Sequence, residues 1–342
     1  MRRPTLQTPI CDFFQIEYPI VLAGMGGIVS PSGPELAAAV SEAGGLGVLG
    51  GAFVAPEELA RQIERTRELT SRPFGVDTLI PFSVTRGELE QPIALDPTLP
   101  EEHRAFIEDF ARRQDLGELP EPEISVFDPA FIRDQLDVVL DLEVPVYVAG
   151  LGDPGYVVQN RGDRAMKIGC VVGATRHARK AVAAGADFVV AQGHDGGGHN
   201  SAVGTMALIP QVVDALPEDV PVLAAGSIMD GRQVVAALAL GAQGVWCGSA
   251  FLATDEAAIT PGQKQAIVDS RDTSTQVTRA WSGKPARIID SVWTEAFEAS
   301  GLPVLPMHQQ LTLVDRVMRA ADREDRTDIN PGAAGQGIGM VQ

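Results

Sequence analysis

The fold is decided by the stretch Val220-Pro-Val-Leu-Ala-Ala-Gly-Ser-Ile-Met-Asp-Gly231, in which an apolar run passes directly into a glycine-containing loop. The run shows no polar alternation, which is typical of a strand buried on both faces. Helical spacing follows over residues 232–240, and Gly244-Val-Trp-Cys247 is the next apolar run. This order of strand, glycine loop, helix and strand predicts a parallel βα unit.

The same unit recurs along most of the chain, with a period of about 25 to 30 residues. We predict strands at 19–23, 46–49, 74–76 with Asp77 at its end, 144–149, 166–172, 188–192, 220–225 and 244–247. We predict helices at 34–43, 56–69, 129–140, 154–160, 174–184, 206–216 and 232–240. Eight such units favour an α/β fold of the closed (β/α)8 TIM barrel type over an open doubly wound sheet.

The alternation of strands and helices stops at Pro81. Residues 82–127 are charged and rich in proline, and they contain one predicted helix at 101–113. We interpret them as an insertion after the third strand that forms a lid or a dimer contact. We therefore expect a barrel domain over residues 10–255 and a C-terminal extension of helices and loops over 256–342 that packs over the barrel mouth.

Composition excludes several classes of partner. The formal net charge of −18 disfavours nucleic acid and anionic membrane surfaces. Three widely spaced cysteines, Cys11, Cys170 and Cys247, fit a reducing compartment. We find no apolar segment long enough to span a bilayer and no apolar leader at the N-terminus. These features predict a cytoplasmic protein.

Functional residues are expected where barrel strands end. The sixth predicted strand runs into Ala191-Gln-Gly-His-Asp-Gly-Gly-Gly-His199, a glycine loop that delivers a histidine to a flat ligand. The alternative is a mobile surface turn. For His194 in the same loop we favour a structural contact over chemistry.

Two further loops follow the seventh and eighth strands. Backbone N–H groups of Gly226, Ser227, Gly248 and Ser249 can converge on a phosphate, as barrels often arrange at this position. The alternative is that each glycine only permits a tight turn into a helix. No histidine, cysteine or carboxylate pattern has the spacing of metal ligands, so we predict no metal.

Several motifs together resemble the nitronate monooxygenases. They are Pro19-Ile-Val-Leu-Ala-Gly-Met25, Ala43-Gly-Gly-Leu-Gly-Val-Leu49, Pro73-Phe-Gly-Val76, Gly193-His-Asp-Gly-Gly-Gly-His199, Ala224-Ala-Gly-Ser-Ile-Met-Asp-Gly-Arg232, Ala236-Ala-Leu-Ala-Leu-Gly-Ala242 and Gly248-Ser-Ala-Phe-Leu-Ala-Thr254, with a weaker echo in Ala334-Gly-Gln-Gly-Ile-Gly339. The resemblance implies FMN at the carboxyl-terminal face of the barrel. It is specific for a flavin barrel and less specific for the reaction.

Carried over residue by residue, the resemblance implies one catalytic residue, His199, which acts at the substrate. The cofactor-binding residues that it implies are Gly24, Met25, Gly26, Asp77, Gln192, Gly197, Gly198, Ala225, Gly226, Ser227, Cys247, Gly248 and Ser249.

This chain departs from the family pattern at four positions. The family usually has glutamine, asparagine, glycine and arginine where this chain has Leu22, Asp77, Ser227 and Ala250. Leu22 is expected to remove a donor near the flavin. Asp77 is expected to place a carboxylate, which only accepts hydrogen bonds, beside the flavin. The alternatives are that Asp77 is turned away or is protonated.

The most favoured function is the FMN-dependent oxidation of alkyl nitronates by O2 to carbonyl compounds and nitrite. One alternative is an NAD(P)H-dependent reductase of enoyl thioesters or quinones, although Val171 stands where some quinone-reducing relatives have lysine. A second alternative is a flavin-free barrel that acts as a binding subunit. The expected partners are a small-molecule substrate and O2, with a homodimer as a further possibility. Trp281, Trp293 and residues 303–308 are expected to govern substrate size, together with the insertion.

Overall fold

The computed structural model describes residues 6–27, 30–80, 98–121 and 128–341. Its strands are β1 Ile20–Leu22, β2 Gly47–Gly50, β3 Phe74–Leu79, β4 Val146–Gly150, β5 Lys167–Val172, β6 Phe188–Gln192, β7 Gly198–His199, β8 Val222–Ala225, β9 Gly244–Cys247, β10 Thr275–Thr278 and β11 Ala286–Ile289. Its helices are α1 Pro9–Phe14, α2 Pro34–Glu42, α3 Pro56–Leu69, α4 Glu101–Arg113, α5 Pro129–Asp141, α6 Gly155–Asn160, α7 Thr175–Ala183, α8 Thr205–Ala215, α9 Gly231–Ala239, α10 Pro261–Val268, α11 Val292–Ser300 and α12 Met307–Arg323. None of these helices is both long and apolar enough to cross a membrane.

Eight parallel strands form one sheet in the order β1-β9-β8-β6-β5-β4-β3-β2. The two edges meet at a parallel bridge between Val21 and Leu46. The N–H of Leu22 donates to the Leu46 carbonyl at 2.9 Å, and the N–H of Leu46 donates to the Ile20 carbonyl at 3.0 Å. The sheet is therefore a closed barrel, and the predicted TIM barrel with its eight strands is confirmed.

The helices that follow the strands cover the outer face of the barrel. Several of them begin on proline, as at Pro34 and Pro56, where a missing N–H costs nothing and φ already suits a helix. Helix α3 buries Leu59 and Ile63 against the sheet and exposes its charged face. Apolar side chains on alternate strand positions point outward into this layer, so the strands are buried on both faces.

The other strand positions fill the barrel interior. Phe188 enters at the amino-terminal end, where it packs edge-on against Phe14 of α1 with ring centroids 5.0 Å apart. A Cβ atom at Gly169 would lie 2.2 Å from the Phe188 ring, so only glycine leaves room for it. Aromatic packing thus closes the amino-terminal end, while the carboxyl-terminal rim stays open.

A second cluster of apolar side chains lies beside the barrel. Helix α4 contributes Ile107 and Phe110, which pack with Trp293 of α11 and Val317 of α12. Arginines at the end of α12 and after it donate to backbone carbonyls of residues 114–121. The described part of the predicted insertion therefore packs on the C-terminal helices. Residues 81–97 and 122–127 of that region lie outside the described residues, and the lid or dimer role stays a prediction.

A small antiparallel sheet, absent from our expectations, joins the glycine loop to the C-terminal part of the chain. Strand β11 pairs on one side with β10 and on the other with β7. Ala286 lies opposite His199, and Arg287 lies opposite Gly198. A two-residue strand in a glycine-rich segment has no periodicity to read, so only the tertiary structure shows this pairing.

Candidate active site

A cavity of about 290 Å³ opens at the carboxyl-terminal rim of the barrel. Its walls come from the loops that follow β1, β3, β4, β6, β8 and β9 and from the C-terminal segment. All fourteen residues predicted for the site line it: Gly24, Met25, Gly26, Asp77, Gln192, Gly197, Gly198, His199, Ala225, Gly226, Ser227, Cys247, Gly248 and Ser249. Parallel topology explains this, because every βα loop emerges at the same end of the barrel.

The loops after β8 and β9 present backbone N–H groups that have no hydrogen-bond partner among the described residues. These groups belong to Gly226, Ser227, Gly248 and Ser249. Gly226 and Ser227 have φ values of +122° and +54°, and a Cβ atom at Gly226 would lie 2.2 Å from the Thr205 hydroxyl oxygen. Unpaired N–H groups in such a turn form an anion-binding concavity.

The hydroxyl groups of the two loop serines are already engaged. Ser227 Oγ donates to the Asp195 carbonyl at 2.6 Å and accepts from the N–H of Gly337 at 2.8 Å. Ser249 Oγ accepts from the N–H of Gly335 at 2.8 Å. These side chains tie the C-terminal segment to the rim, and an anion at this point would be bound by the backbone N–H groups. The only sequence signal for this segment is the echo in Ala334–Gly339.

The glycine loop after β6 is held in place at several points. The Gln192 side-chain amide donates to the carbonyls of His199 at 2.8 Å and Gly197 at 3.3 Å. A Cβ atom at Gly197 would lie 2.7 Å from the carbonyl carbon of Ala334, so this glycine is required for contact with the C-terminal segment. His194 Nδ1 lies 2.8 Å from the Ser201 carbonyl oxygen, which confirms its structural contact. These contacts hold the loop in place as one wall of the cavity.

His199 lies on β7 and lines the cavity. Its Nε2 atom is 2.7 Å from Ser282 Oγ, a contact across 83 positions of sequence. Burial, and secondarily the positive charge of Lys284, lowers the pKa of His199 to about 4. The imidazole is therefore neutral at neutral pH and keeps one nitrogen lone pair.

The side chain of Asp77 lies on the inner side of the rim, between Gly24 and Gly150. Burial raises the pKa of its carboxyl group well above the usual value. No hydrogen bond to the carboxyl group is found within the described ranges. Burial therefore favours the protonated alternative over an ionised carboxylate. A neutral carboxyl group offers one donor and one acceptor, as the amide of asparagine does.

Two other departures from the family pattern lie away from the cavity walls. The Leu22 side chain is fully buried on the outer face of the barrel, where it packs among Leu36 and Val40 of α2. It does not face the cavity, so the expected loss of a donor near the flavin is not observed. Ala250 lies in the short 3-10 helix Ser249–Phe251 and is not among the residues that line the cavity.

Sequence reasoning missed part of the apolar wall of the cavity. Leu79, Leu151, Ile259 and Ile267 line it together with Trp281. In the sequence a leucine at a strand end has the same pattern as a core residue, so the leucines gave no signal. Trp293 was expected near the substrate but is fully buried in the cluster beside the barrel, where its Nε1 donates to the Ala280 carbonyl at 3.3 Å.

The described residues contain no group of three or more histidine, cysteine or acidic side chains placed to hold a metal ion. Cys247 lines the cavity, and burial raises the pKa of its thiol to about 12. Burial thus favours the neutral forms of Asp77, His199 and Cys247 at the cavity wall, and the unpaired backbone N–H groups there can attract an anion.

The closed barrel with these loops at its carboxyl-terminal rim defines an enzyme of the TIM-barrel class. The sequence profile of the family described as nitronate monooxygenase matches residues 7–342. The chain belongs to the nitronate monooxygenase family and is an oxidoreductase of that family. Enzymes of this family are in general flavoenzymes.

Individual relatives agree with this assignment. A protein of Staphylococcus saprophyticus named "Probable nitronate monooxygenase" is 34% identical over 324 residues, which cover 90% of this chain and 86% of the relative. The crystal structure of a nitroalkane oxidase from Streptomyces ansochromogenes has a TM-score of 0.81 and 34% identity, covering 97% and 93% of the two chains. FabK from Thermotoga maritima has a TM-score of 0.72 and 28% identity, covering 98% and 91%.

The buried carboxyl group of Asp77 predicts a pH-dependent stability. Well below pH 3.8 the group is protonated in both the folded and the unfolded chain, whereas at higher pH unfolding releases its proton and the free energy of unfolding falls. Asp77→Asn removes this pH-dependent contribution to the free energy of unfolding. We expect the variant to gain stability relative to the native chain as pH rises from 4 to 7, measured by urea unfolding at each pH.

The matched control for this prediction is Asp219→Asn, which neutralises an exposed carboxylate. Its stability relative to the native chain should not show the same increase with pH. An Asp77→Asn variant with the opposite trend, losing stability as pH rises, would show that Asp77 is ionised in the folded protein.

Proposed function

We propose that this chain binds FMN in the rim cavity and oxidises alkyl nitronates with O2 to carbonyl compounds and nitrite, without NAD(P)H. The observation that carries the proposal is the convergence of unpaired N–H groups and a neutral histidine on one cavity. In this proposal the barrel domain, residues 10–255, holds the cofactor, and residues 256–342 close the mouth. The oligomeric state and the cellular location stay predictions.

The residues present fit FMN. The N–H groups of Gly226, Ser227, Gly248 and Ser249 would hold the phosphate. The backbone of Gly24–Gly26 and the glycine loop would flank the flat ring system, because neither wall carries a bulky side chain apart from Met25. The remaining contacts fall to Asp77, Gln192, Ala225 and Cys247. Bound FMN would supply an electron acceptor for the nitronate and an electron donor for O2.

His199 is the residue placed to act on the substrate. Its neutral ring can accept a proton from the α-carbon of a neutral nitroalkane, or it can orient an anionic nitronate. The positive charge of Lys284, which disfavours a protonated ring, favours an anion at the same place. Trp281 and Leu79 form an apolar wall that excludes water and suits the alkyl part of the substrate.

An anaerobic titration separates this proposal from the reductase alternative. We expect an alkyl nitronate to bleach the visible absorbance of the flavin and NADH or NADPH to leave it unchanged. Bleaching by a nicotinamide alone, with no response to nitronate, would favour a reductase of enoyl thioesters or quinones. A colourless protein that cannot be reconstituted with FMN would favour a binding subunit.

The phosphate position is tested at Gly248. Its φ of −108° is open to any residue, and a Cβ atom there would lie 3.1 Å from the flexible Met25 side chain at Sδ. Gly248→Asp places a negative charge against the phosphate. We expect FMN affinity to fall at least about 10-fold, equivalent to about 1.4 kcal/mol, measured by equilibrium dialysis.

The control for the added volume is Gly248→Asn, which has nearly the same shape without the charge. It should retain more FMN than the aspartate variant. Equal FMN affinity in the two folded variants would place the phosphate elsewhere.

The role of His199 is tested by His199→Asn with two substrates. Turnover of a neutral nitroalkane should fall by about 10² to 10⁴, the scale of a lost general base, while FMN stays bound. Turnover of the preformed nitronate should fall less, because no proton has to be removed. The native enzyme should lose activity on the neutral nitroalkane as pH falls towards 4 and the ring gains a proton.

His194→Asn is the matched control, since its ring contacts a loop carbonyl. Unchanged turnover of both substrates in the His199 variant would remove this residue from the mechanism.

A further inference from the structure

The environment of the His199 ring is built by residues that sequence reasoning did not connect with it. Ser282 is fully buried, and its Oγ lies 2.7 Å from His199 Nε2. The same hydroxyl donates to the backbone carbonyl of Lys284 at 3.3 Å. The other ring nitrogen, Nδ1, has no hydrogen-bond partner in the described part of the chain and is not sealed from the cavity that the residue lines.

The Ser282 hydroxyl group has one proton, so it can donate to only one of its two neighbours, and two arrangements of hydrogen bonds are possible. If it goes to the Lys284 carbonyl, the serine oxygen accepts from Nε2–H, and all three groups are satisfied in one chain of hydrogen bonds. If it goes to Nε2, the serine no longer donates to the carbonyl, and the ring proton moves to Nδ1. The first arrangement uses both contacts observed at Ser282. It leaves a lone pair on Nδ1.

Backbone pairing sets the positions of the residues in this chain of hydrogen bonds. Strand β7 pairs with β11 through Ala286 and His199, and the turn that carries Ser282 and Lys284 leads directly into β11. Gly283 in that turn has φ +78°, and a Cβ atom there would lie 2.6 Å from the Leu305 carbonyl oxygen. A side chain at Gly283 would therefore displace this turn, which presents the serine to the histidine ring.

We infer that Ser282 is a positioning residue, which holds His199 as the Nε2–H tautomer so that Nδ1 is the atom that accepts a proton or a hydrogen bond in the cavity. The inference rests on the proposed role of His199 at the substrate. It specifies which atom of His199 acts and which side chain selects that atom. Lys284 contributes its carbonyl to the chain of hydrogen bonds and its charge to the neutrality of the ring.

The tautomer is measured by nitrogen NMR on the FMN-loaded enzyme carrying 15N-labelled histidine. The chain has five histidines, and the His199 signals are those that vanish in His199→Asn. We expect a protonated, pyrrole-type signal for Nε2 and an unprotonated, pyridine-type signal for Nδ1. The reverse pattern in the native enzyme would overturn the proposal without any variant of Ser282.

Variants at Ser282 then test its role. Ser282→Ala should give a mixture of the two tautomers and lower kcat on a neutral nitroalkane by about 10- to 100-fold, as when a group that orients a histidine is lost. Ser282→Thr keeps the hydroxyl group and should restore both readouts. Ser300→Ala is the control, because it removes a serine hydroxyl that bonds a carbonyl far from the site.

The outcomes separate this inference from the proposed function. A native tautomer or native turnover in folded, FMN-loaded Ser282→Ala would overturn the positioning role, even if His199→Asn is inactive. Full activity of His199→Asn would instead refute the role of the histidine, whatever its tautomer.

Discussion

The site depends on the closure of the eight-stranded ladder between β1 and β2. A single bridge, Val21 to Leu46, joins the two edges. Because β1 also pairs with β9, the loop at Gly24–Gly26 comes to lie beside the loop at Gly248, where Met25 is in contact range. In an open sheet the loops after β1 and β2 would instead lie at opposite edges. Closure thus brings the loop after β1 against the loop after β2, where a Cβ atom at Gly26 would lie 2.8 Å from the backbone nitrogen of Ala52, and both loops line one cavity.

The C-terminal segment forms part of the cavity wall together with the loops of the barrel. The N–H groups of Gly335 and Gly337 bond the hydroxyl groups of the two loop serines, and β11 extends the glycine loop into a sheet. These contacts use the polar side chains of the rim and leave its backbone N–H groups unpaired. The cavity wall is therefore held together by hydrogen bonds, although it is assembled from loops.

Burial sets the protonation of the groups in the cavity in one direction, towards neutrality. It raises the pKa of Asp77 and of Cys247 and lowers that of His199. Because burial favours the neutral forms of these side chains, the unpaired N–H groups and the charge of Lys284 that acts on His199 leave the cavity favourable to anions. A phosphate-bearing cofactor and an anionic nitronate both fit this electrostatic character.

The sequence alone determined the barrel and the placement of its loops. Buried parallel strands are continuous apolar runs, and each glycine loop follows such a run, so local pattern was enough to predict which loops meet at one rim. The resemblance to the nitronate monooxygenases supplied the fourteen site residues, which all line the cavity. Only the tertiary structure decided that Leu22 faces outward, that Asp77 is buried and its pKa raised, and that Ser282 meets His199. Local periodicity reports burial and secondary structure, whereas protonation and tautomer depend on neighbours in space that are distant in sequence.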